Sequence, residues 1–291
     1  MKKVKIAQRL FEKTMNMVFT ACGFFAVAFV IVITLFLIIN GIPAMSKIGL
    51  KEFLFGTQWK PTANETSYGI LPFILTSVYG TFGAVLIGVP LGVLCAVFIA
   101  KIANPRMARV VSAAVDLLSG IPSVVYGLVG MIIIVPLVRR IFNLPDGANL
   151  FSAMLVLFIM ILPSVISISQ TAFCAVPKEY VEASLALGAT KIETVFKVVM
   201  PAAKSGIFTS IVLGVGRSIG EAMAVMMVAG NVANMPRLFK SVRFLTTAIA
   251  NEMSYSSGLQ REALFSIALV LFVFILVINL ILNLFIKKDK D

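Results

Sequence analysis

Residues 176–206 read VPKEYVEASLALGATKIETVFKVVMPAAKSG, a stretch unlike the chain on either side of it. It mixes charge with apolar residues and carries helix punctuation. Pro177 suits a first helical position, where its missing N–H leaves no bond unmade. Glu179 and Glu182 lie near that start, where the helix dipole favours negative charge. Gly188 fits the left-handed position that ends a helix. Thr190 and Glu193 form T-x-x-E, a capping box that begins a second helix at once. Ile192, Val195, Phe196 and Val199 then fall at i, i+3, i+4 and i+7, one apolar stripe, before Pro201 breaks the pattern. The expectation is helix, sharp turn, helix. Its apolar ridge should dock into the chain's own body or into a partner's groove.

The surroundings of this stretch are made for lipid. Of 291 residues, 59% are hydrophobic and 13% charged, with a mean hydropathy of +1.02. A soluble domain has about half apolar and a quarter charged residues, so the composition indicates an integral membrane protein. Six apolar runs can span a bilayer: about 18–40, 71–100, 111–138, 151–173, 206–229 and 263–286. The first is too long for a cleaved secretory signal, whose apolar core is about 7–15 residues. The domain reading is a cytoplasmic head over 1–17, a transmembrane domain over 18–286 with the polar loop at 176–205, and a tail over 287–291. With both termini in the cytoplasm, the head, 101–110, 174–205 and the tail hold most of the Lys and Arg, though Arg139 and Arg140 go against that bias. The net charge of +12 therefore needs no nucleic acid, which would call for basic residues clustered on a soluble face.

Cys22, Cys95 and Cys174 are far apart, lie in or beside apolar runs, and read as small buried hydrophobes without metal spacing. The absence of histidine removes the commonest general base and metal ligand. Trp59, Tyr68 and Tyr255, in the loops 41–70 and 230–262, read as membrane-interface anchors or as residues that dock a partner.

Two apolar runs are interrupted. LGVGRSIGEAMAVMMVAGN, residues 213–231, holds Arg217 and Glu221 four apart, on one face of a continuous helix. A charge at the bilayer centre costs about 2.5–3.5 kcal/mol on insertion scales and should face a bundle interior or a watery path. The plainer reading is an ion pair that locks helices. The functional reading is that Arg217 meets an anion, which its planar fork can hold with two parallel bonds. Glu221 would hold Arg217 when the path is empty, or accept a hydrogen bond from a protonated anion such as hydrogen phosphate, disfavouring sulfate. Gly214, Gly216, Ser218, Gly220, Ala222 and Ala224 let helices approach closely. In DLLSGIPSVVYGLVG, residues 116–130, Gly120, Pro122 and Ser123 interrupt the third run. Such backbone is tolerated at membrane depth where it lines a cavity or is buried in protein. Asp116 should cap a helix end or pair with a cation. No G-x-x-x-x-G-K-[ST] phosphate loop is present, so any ATP hydrolysis belongs to a separate subunit.

Glu182-Ala183-Ser184, then Gly188, then Val198-x-Met200-Pro201 resembles the EAA loop of ABC importer permeases, with Ser184, Val198 and Met200 as mild departures from E-A-A and I-x-L-P. SGIPSVVYGLVG and LGVGRSIGEAMAVMMVAGN resemble the phosphate-importer permeases, more the PstC type than the PstA type. FGTQWKP (55–61) and YGILPFILTSVYGT (68–81) fit the same type. The resemblance covers roughly residues 50 to 250. It implies an all-α integral membrane protein with six transmembrane helices and a cytoplasmic helix-turn-helix coupling loop, the type I ABC importer permease fold. It implies a permease subunit of an ATP-driven importer for inorganic phosphate, without enzyme activity, cofactor or metal of its own. Arg217, Glu221, Ser218, Gly220 and Ser123 are then the substrate-path residues, and Glu182, Ala183, Ser184, Gly188 and Pro201 the ATPase-coupling loop. The implied partners are a PstA-like second permease, an ATP-binding subunit dimer and an extracytoplasmic phosphate-binding protein. The implied site is the prokaryotic plasma (inner) membrane. The alternatives are an importer permease for molybdate, sulfate or phosphonate, or a lone ion-driven transporter or channel, against which the loop argues.

Overall fold

Backbone N–H and C=O groups in lipid must be paired within their own segment, and the chain is helical almost throughout. The structure, a computed structural model, describes residues 2–288, with side-chain surroundings for 11–282 and 284. The basic head residues Lys2, Lys3, Lys5 and Arg9 and the tail expected over 287–291 fall, wholly or in their side chains, outside the described residues.

Helices α1 (Lys2–Ile48) and α2 (Leu50–Phe55) lead through an antiparallel hairpin, β1 (Trp59–Lys60) and β2 (Ser67–Tyr68), into α3 (Leu71–Val97). A π-helical turn, Phe98–Ile102, follows, and Asn104 caps α4 (Pro105–Ser119) by accepting from Met107 N at 2.9 Å. Next come α5 (Ser123–Val129), a π-helical turn at Gly130–Ile134, and α6 (Val135–Ile141). Asn149 caps α7 (Leu150–Cys174), accepting from Ser152 N at 3.0 Å. The elbow comprises α8 (Lys178–Ala186), α9 (Lys191–Thr194), a π-helical turn at Val195–Val199, and α10 (Met200–Ala202). The chain ends with α11 (Lys204–Gly220), α12 (Met223–Val228), α13 (Leu245–Glu252) and α14 (Gly258–Lys288).

Among the described residues, five helical stretches are long and apolar enough to cross a bilayer: Phe11–Ile48, Leu71–Ile102, Ser123–Ile141, Leu150–Cys174 and Gly258–Leu282. A sixth is reached if Lys191–Ala202 and α11 (Lys204–Gly220), which meet at a 69° bend, count as one span. Two expected runs are divided. The run at 111–138 splits into amphipathic α4 and a membrane rod that starts at Ser123, because Pro122 lacks an N–H and pushes Ile121 out of helical geometry. The run at 206–229 breaks after Gly220.

Lipid tails are as apolar as leucine, so burying apolar surface does not drive helices together in a bilayer; close approach does. α7 packs along α3, where a Cβ on Gly88 or Gly92 would come 2.8 or 2.7 Å from Ile161 or Val165. α11 packs on both. Ser169 donates to Ser210 at 2.9 Å across the α7–α11 seam, an interhelical bond of about 0.6 kcal/mol. α1 pairs with α14, with Gly41 set against the Phe265 backbone.

Three buried clusters follow the bundle. One, around Val97, Phe173 and Val199, lies at the elbow. A second joins α7 to α12 through Val156, Leu157 and Val225. The third, around Phe53, Trp59, Tyr68 and Phe73, closes the hairpin end. That last cluster corrects the reading of Trp59 and Tyr68 as interface anchors: both are 6% exposed and stack edge to face at 5.6 Å. Trp59 also donates its indole N–H to Glu252, which pairs with Arg243. The cysteines are corrected as well. Cys22 and Cys174 are exposed and Cys95 half-buried, since the middle of α1 and the end of α7 have no helix over them. Asp116 lies exposed inside α4, its carboxylate without a partner among the described residues.

Candidate substrate path and coupling elbow

The elbow is built as its punctuation requires. α8 begins at Lys178, one residue later than expected, with Pro177 as its cap. Gly188 sits at φ +85° with open space around its Cβ position, so backbone conformation alone selects glycine there. Both halves of the capping box form: Glu193 N donates to Thr190 Oγ1 at 3.2 Å, and Thr190 N donates to Glu193 Oε2 at 3.0 Å. The Thr190 backbone and hydroxyl bonds, with Lys197 nearby, hold the Glu193 carboxyl below its ordinary value. Ser184 Oγ and Thr194 Oγ1 share a hydrogen bond at 2.9 Å that ties α8 to α9. Glu182 and Ala183 are exposed. Pro201 is not the break. It lies in the first turn of α10, where its missing N–H is harmless, and the chain turns at Ala203.

The apolar ridge divides. Val195 and Val199 are buried against the bundle, while Ile192 and Phe196 remain 66% and 45% exposed. Leu187, at the tip of the turn, is 90% exposed.

At the other end of α11, Arg217 is half-buried in the last turn. Its Nη1 donates to Ser164 Oγ on α7 at 2.8 Å. The Tyr126 hydroxyl on α5 lies within reach of its charge and donates to Leu118 O at 2.6 Å, bridging the break between α4 and α5.

Glu221 does not share the helical face of Arg217. The helix ends at Gly220, and Glu221 is extended at φ −72°, ψ 129°. Its Oε1 accepts from Ala224 N at 2.9 Å and caps α12, while its carbonyl accepts from Thr246 Oγ1 at 2.7 Å. The free N–H groups at the start of α12 claim the carboxylate, and among the described residues neither Arg217 nor Glu221 makes an ion pair.

Ser218, about 100° round the helix from Arg217, is buried with its hydroxyl unpartnered. Gly216 and Gly220 have nothing within 4 Å of a Cβ position, so no helix packs against that side of them among the described residues. Ser123 is half-buried as the first residue of α5. The two interrupted regions touch: a Cβ on Gly127 of α5 would come 2.8 Å from Ala224 Cα of α12. Ser164, Tyr126 and Thr246 escaped the sequence reading. The available signals were Ser164 following Pro163 in an apolar run and Tyr126 one turn past the Gly120–Pro122 break.

A guanidinium offers five N–H donors, and Arg217 uses one of them among the described residues. The remainder can take an oxyanion, with open glycine positions beside them.

Residues 88–288 match the model of the binding-protein-dependent transport system inner membrane component family. The chain belongs to this family. The permease is 38% identical over 281 residues to a probable ABC transporter permease protein, YqgH, of Bacillus subtilis, covering 94% of this chain and 91% of that one. It is 35% identical over 257 residues to the phosphate transport system permease protein PstC of Pasteurella multocida, covering 81% and 80%. Its fold is that of solved importer permeases. It superposes with a TM-score of 0.58 on a chain of the inward-facing MetNI methionine ABC transporter, at 22% identity, covering 76% of this chain and 94% of that one. The score is also 0.58 with a chain of a bacterial alginate ABC transporter bound to its periplasmic protein, at 16% identity and 86% coverage of each. The permease is thus a multi-pass membrane protein with the all-α type I importer fold.

Proposed function

We propose that this permease forms half of the translocation path of an ATP-driven importer for inorganic phosphate. The observation that carries the reading is Arg217: a membrane-embedded guanidinium with one partner among the described residues, beside two uncovered glycines. One hydrogen bond to a hydroxyl does not offset about 2.5–3.5 kcal/mol of insertion cost, so a further anionic or polar partner completes the site. The likeness to PstC-named relatives supports phosphate as that anion. Glu221, Ser218, Gly220 and Ser123 belong to the same path, with Glu221 setting the break that opens it.

Both termini lie in the cytoplasm, as the Lys and Arg bias supports, and the membrane is the prokaryotic plasma (inner) membrane. The elbow, with Glu182, Ala183, Ser184, Gly188 and Pro201, receives the ATPase subunits, which hydrolyse the ATP. Its exposed Leu187, Ile192 and Phe196 support that docking. A PstA-like permease supplies the other half of the path, and an extracytoplasmic phosphate-binding protein delivers the anion. Closure of the ATPase pair pushes the elbow, and the spans rearrange around the anion.

The test is ATP-dependent uptake of phosphate by the complete complex in proteoliposomes. Arg217→Ala should abolish uptake in an assembled complex. Wild-type uptake by that variant, or competition by molybdate or sulfate as strong as by phosphate itself, would overturn the proposal.

A further inference from the structure

Ser164 departs from the arrangement that several hydroxyls of the spans share. Thr20, Thr34, Thr171 and Thr209 each donate to the carbonyl four residues back, at 2.7–2.9 Å, the usual arrangement in an apolar helix. Ser164 does not. Its oxygen accepts from Arg217 Nη1, and its proton has no acceptor among the described residues. Thr76, Thr81 and Ser218 also lack partners, but they are buried between helices, whereas Ser164 is half-buried on the Arg217 side of α7. Pro163 precedes it, so the helical i→i−4 bond to Ile159 O has no donor, the local loosening that a proline brings.

We infer that Ser164 is a second ligand for the transported oxyanion and exchanges roles when the anion arrives. In the empty site its oxygen accepts from Arg217, which keeps one guanidinium N–H paired in a low-dielectric surrounding. When a phosphate-class oxyanion enters, the Arg217 N–H turns to one anion oxygen and the Ser164 O–H donates to another. Every donor then keeps an acceptor, and the anion gains two charge-assisted bonds from two helices. A hydroxyl can make this exchange because it both accepts and donates; an amine or a methyl group cannot. α7 thereby contributes chemistry to a path otherwise read from α5, α11 and the break after Gly220.

The inference rests on the proposed function, and the experiment separates the two. The complete complex in proteoliposomes, at saturating phosphate-loaded binding protein, is assayed for phosphate uptake and ATP hydrolysis together. Ser164→Ala should lower uptake about tenfold, the loss of one hydrogen bond to a charged group, while ATP hydrolysis stays within about twofold of wild type. Ser164→Thr, which keeps the hydroxyl, should recover most of the uptake. A purely structural role would lower uptake and hydrolysis in parallel, and that result overturns the inference. So does normal uptake by Ser164→Ala, or Ser164→Thr as deficient as Ser164→Ala. If Arg217→Ala abolishes uptake while Ser164→Ala is normal, only this inference falls. If Arg217→Ala transports normally, the proposed function falls with it.

Discussion

Glu221 does two things through different atoms, and a pair of substitutions separates them. Its carboxylate caps α12 through Ala224 N, and its charge sits close in sequence to Arg217. Glu221→Gln keeps an oxygen for the Ala224 N–H and removes the charge. Glu221→Ala removes both. Losing a cap costs about 1 kcal/mol, so the alanine variant should melt lower in the purified complex while the glutamine variant stays near wild type. If the charge also helps to choose a protonated anion, the glutamine variant should admit sulfate more readily in uptake competition. A glutamine variant with unchanged anion preference would leave Glu221 as a helix cap alone. Arg243 and Glu252 are a second pair at this scale. Their side chains are 17% and 18% exposed, and Trp59 and Gln260 also donate to the carboxylate. Removing one partner of a largely buried pair strands the other. Arg243→Ala should therefore lower the thermal midpoint more than the Arg243→Met, Glu252→Gln double variant does.

Among the elements, the elbow tests backbone against packing. Gly188 has free space at its Cβ position and a left-handed φ, so side-chain volume is irrelevant and conformation decides. Asparagine visits that region far more readily than a β-branched residue. Gly188→Asn should retain most ATPase coupling and Gly188→Val should lose it, measured as transport-coupled ATP hydrolysis. The capping box adds a pH dependence. Glu193 titrates below its ordinary value because its charged form accepts the Thr190 bonds. Its contribution is present above the unfolded value and is lost as pH falls through the depressed one. Glu193→Gln, which keeps a box acceptor, should flatten the acid limb of coupling. The elbow was legible in sequence because capping and left-handed turns are local: Thr190, Glu193 and Gly188 need only their neighbours. The membrane breaks were half legible. Pro122 announces itself, whereas the break after Gly220 depends on Thr246 holding the Glu221 carbonyl from 25 residues away. Ser164 was illegible for the same reason, its partner lying 53 residues on.

For the whole molecule, the division of the apolar ridge decides how force would travel. Val195 and Val199 fasten the elbow to the bundle, so the elbow cannot turn without its surroundings. From Ala203, α11 runs 17 residues to Gly220, a rod of about 25 Å that ends one turn past Arg217. On the proposed function, a push on the elbow would travel along one helix to the guanidinium, where the helix breaks before α12, which packs on α5 and α7 instead. The push would enter through side chains of the elbow left uncovered, and among its large apolar side chains Leu187 at the tip is the most exposed. Leu187→Asp should leave the permease folded, since nothing in the chain packs on that side chain, but it places a charge where an apolar partner surface must close. The expected result is a permease with wild-type melting behaviour that no longer retains the ATPase subunit on purification and imports no phosphate. Retention of the ATPase with full transport would mean that the motor engages some other face, and the 69° bend between elbow and α11 would lose its mechanical meaning.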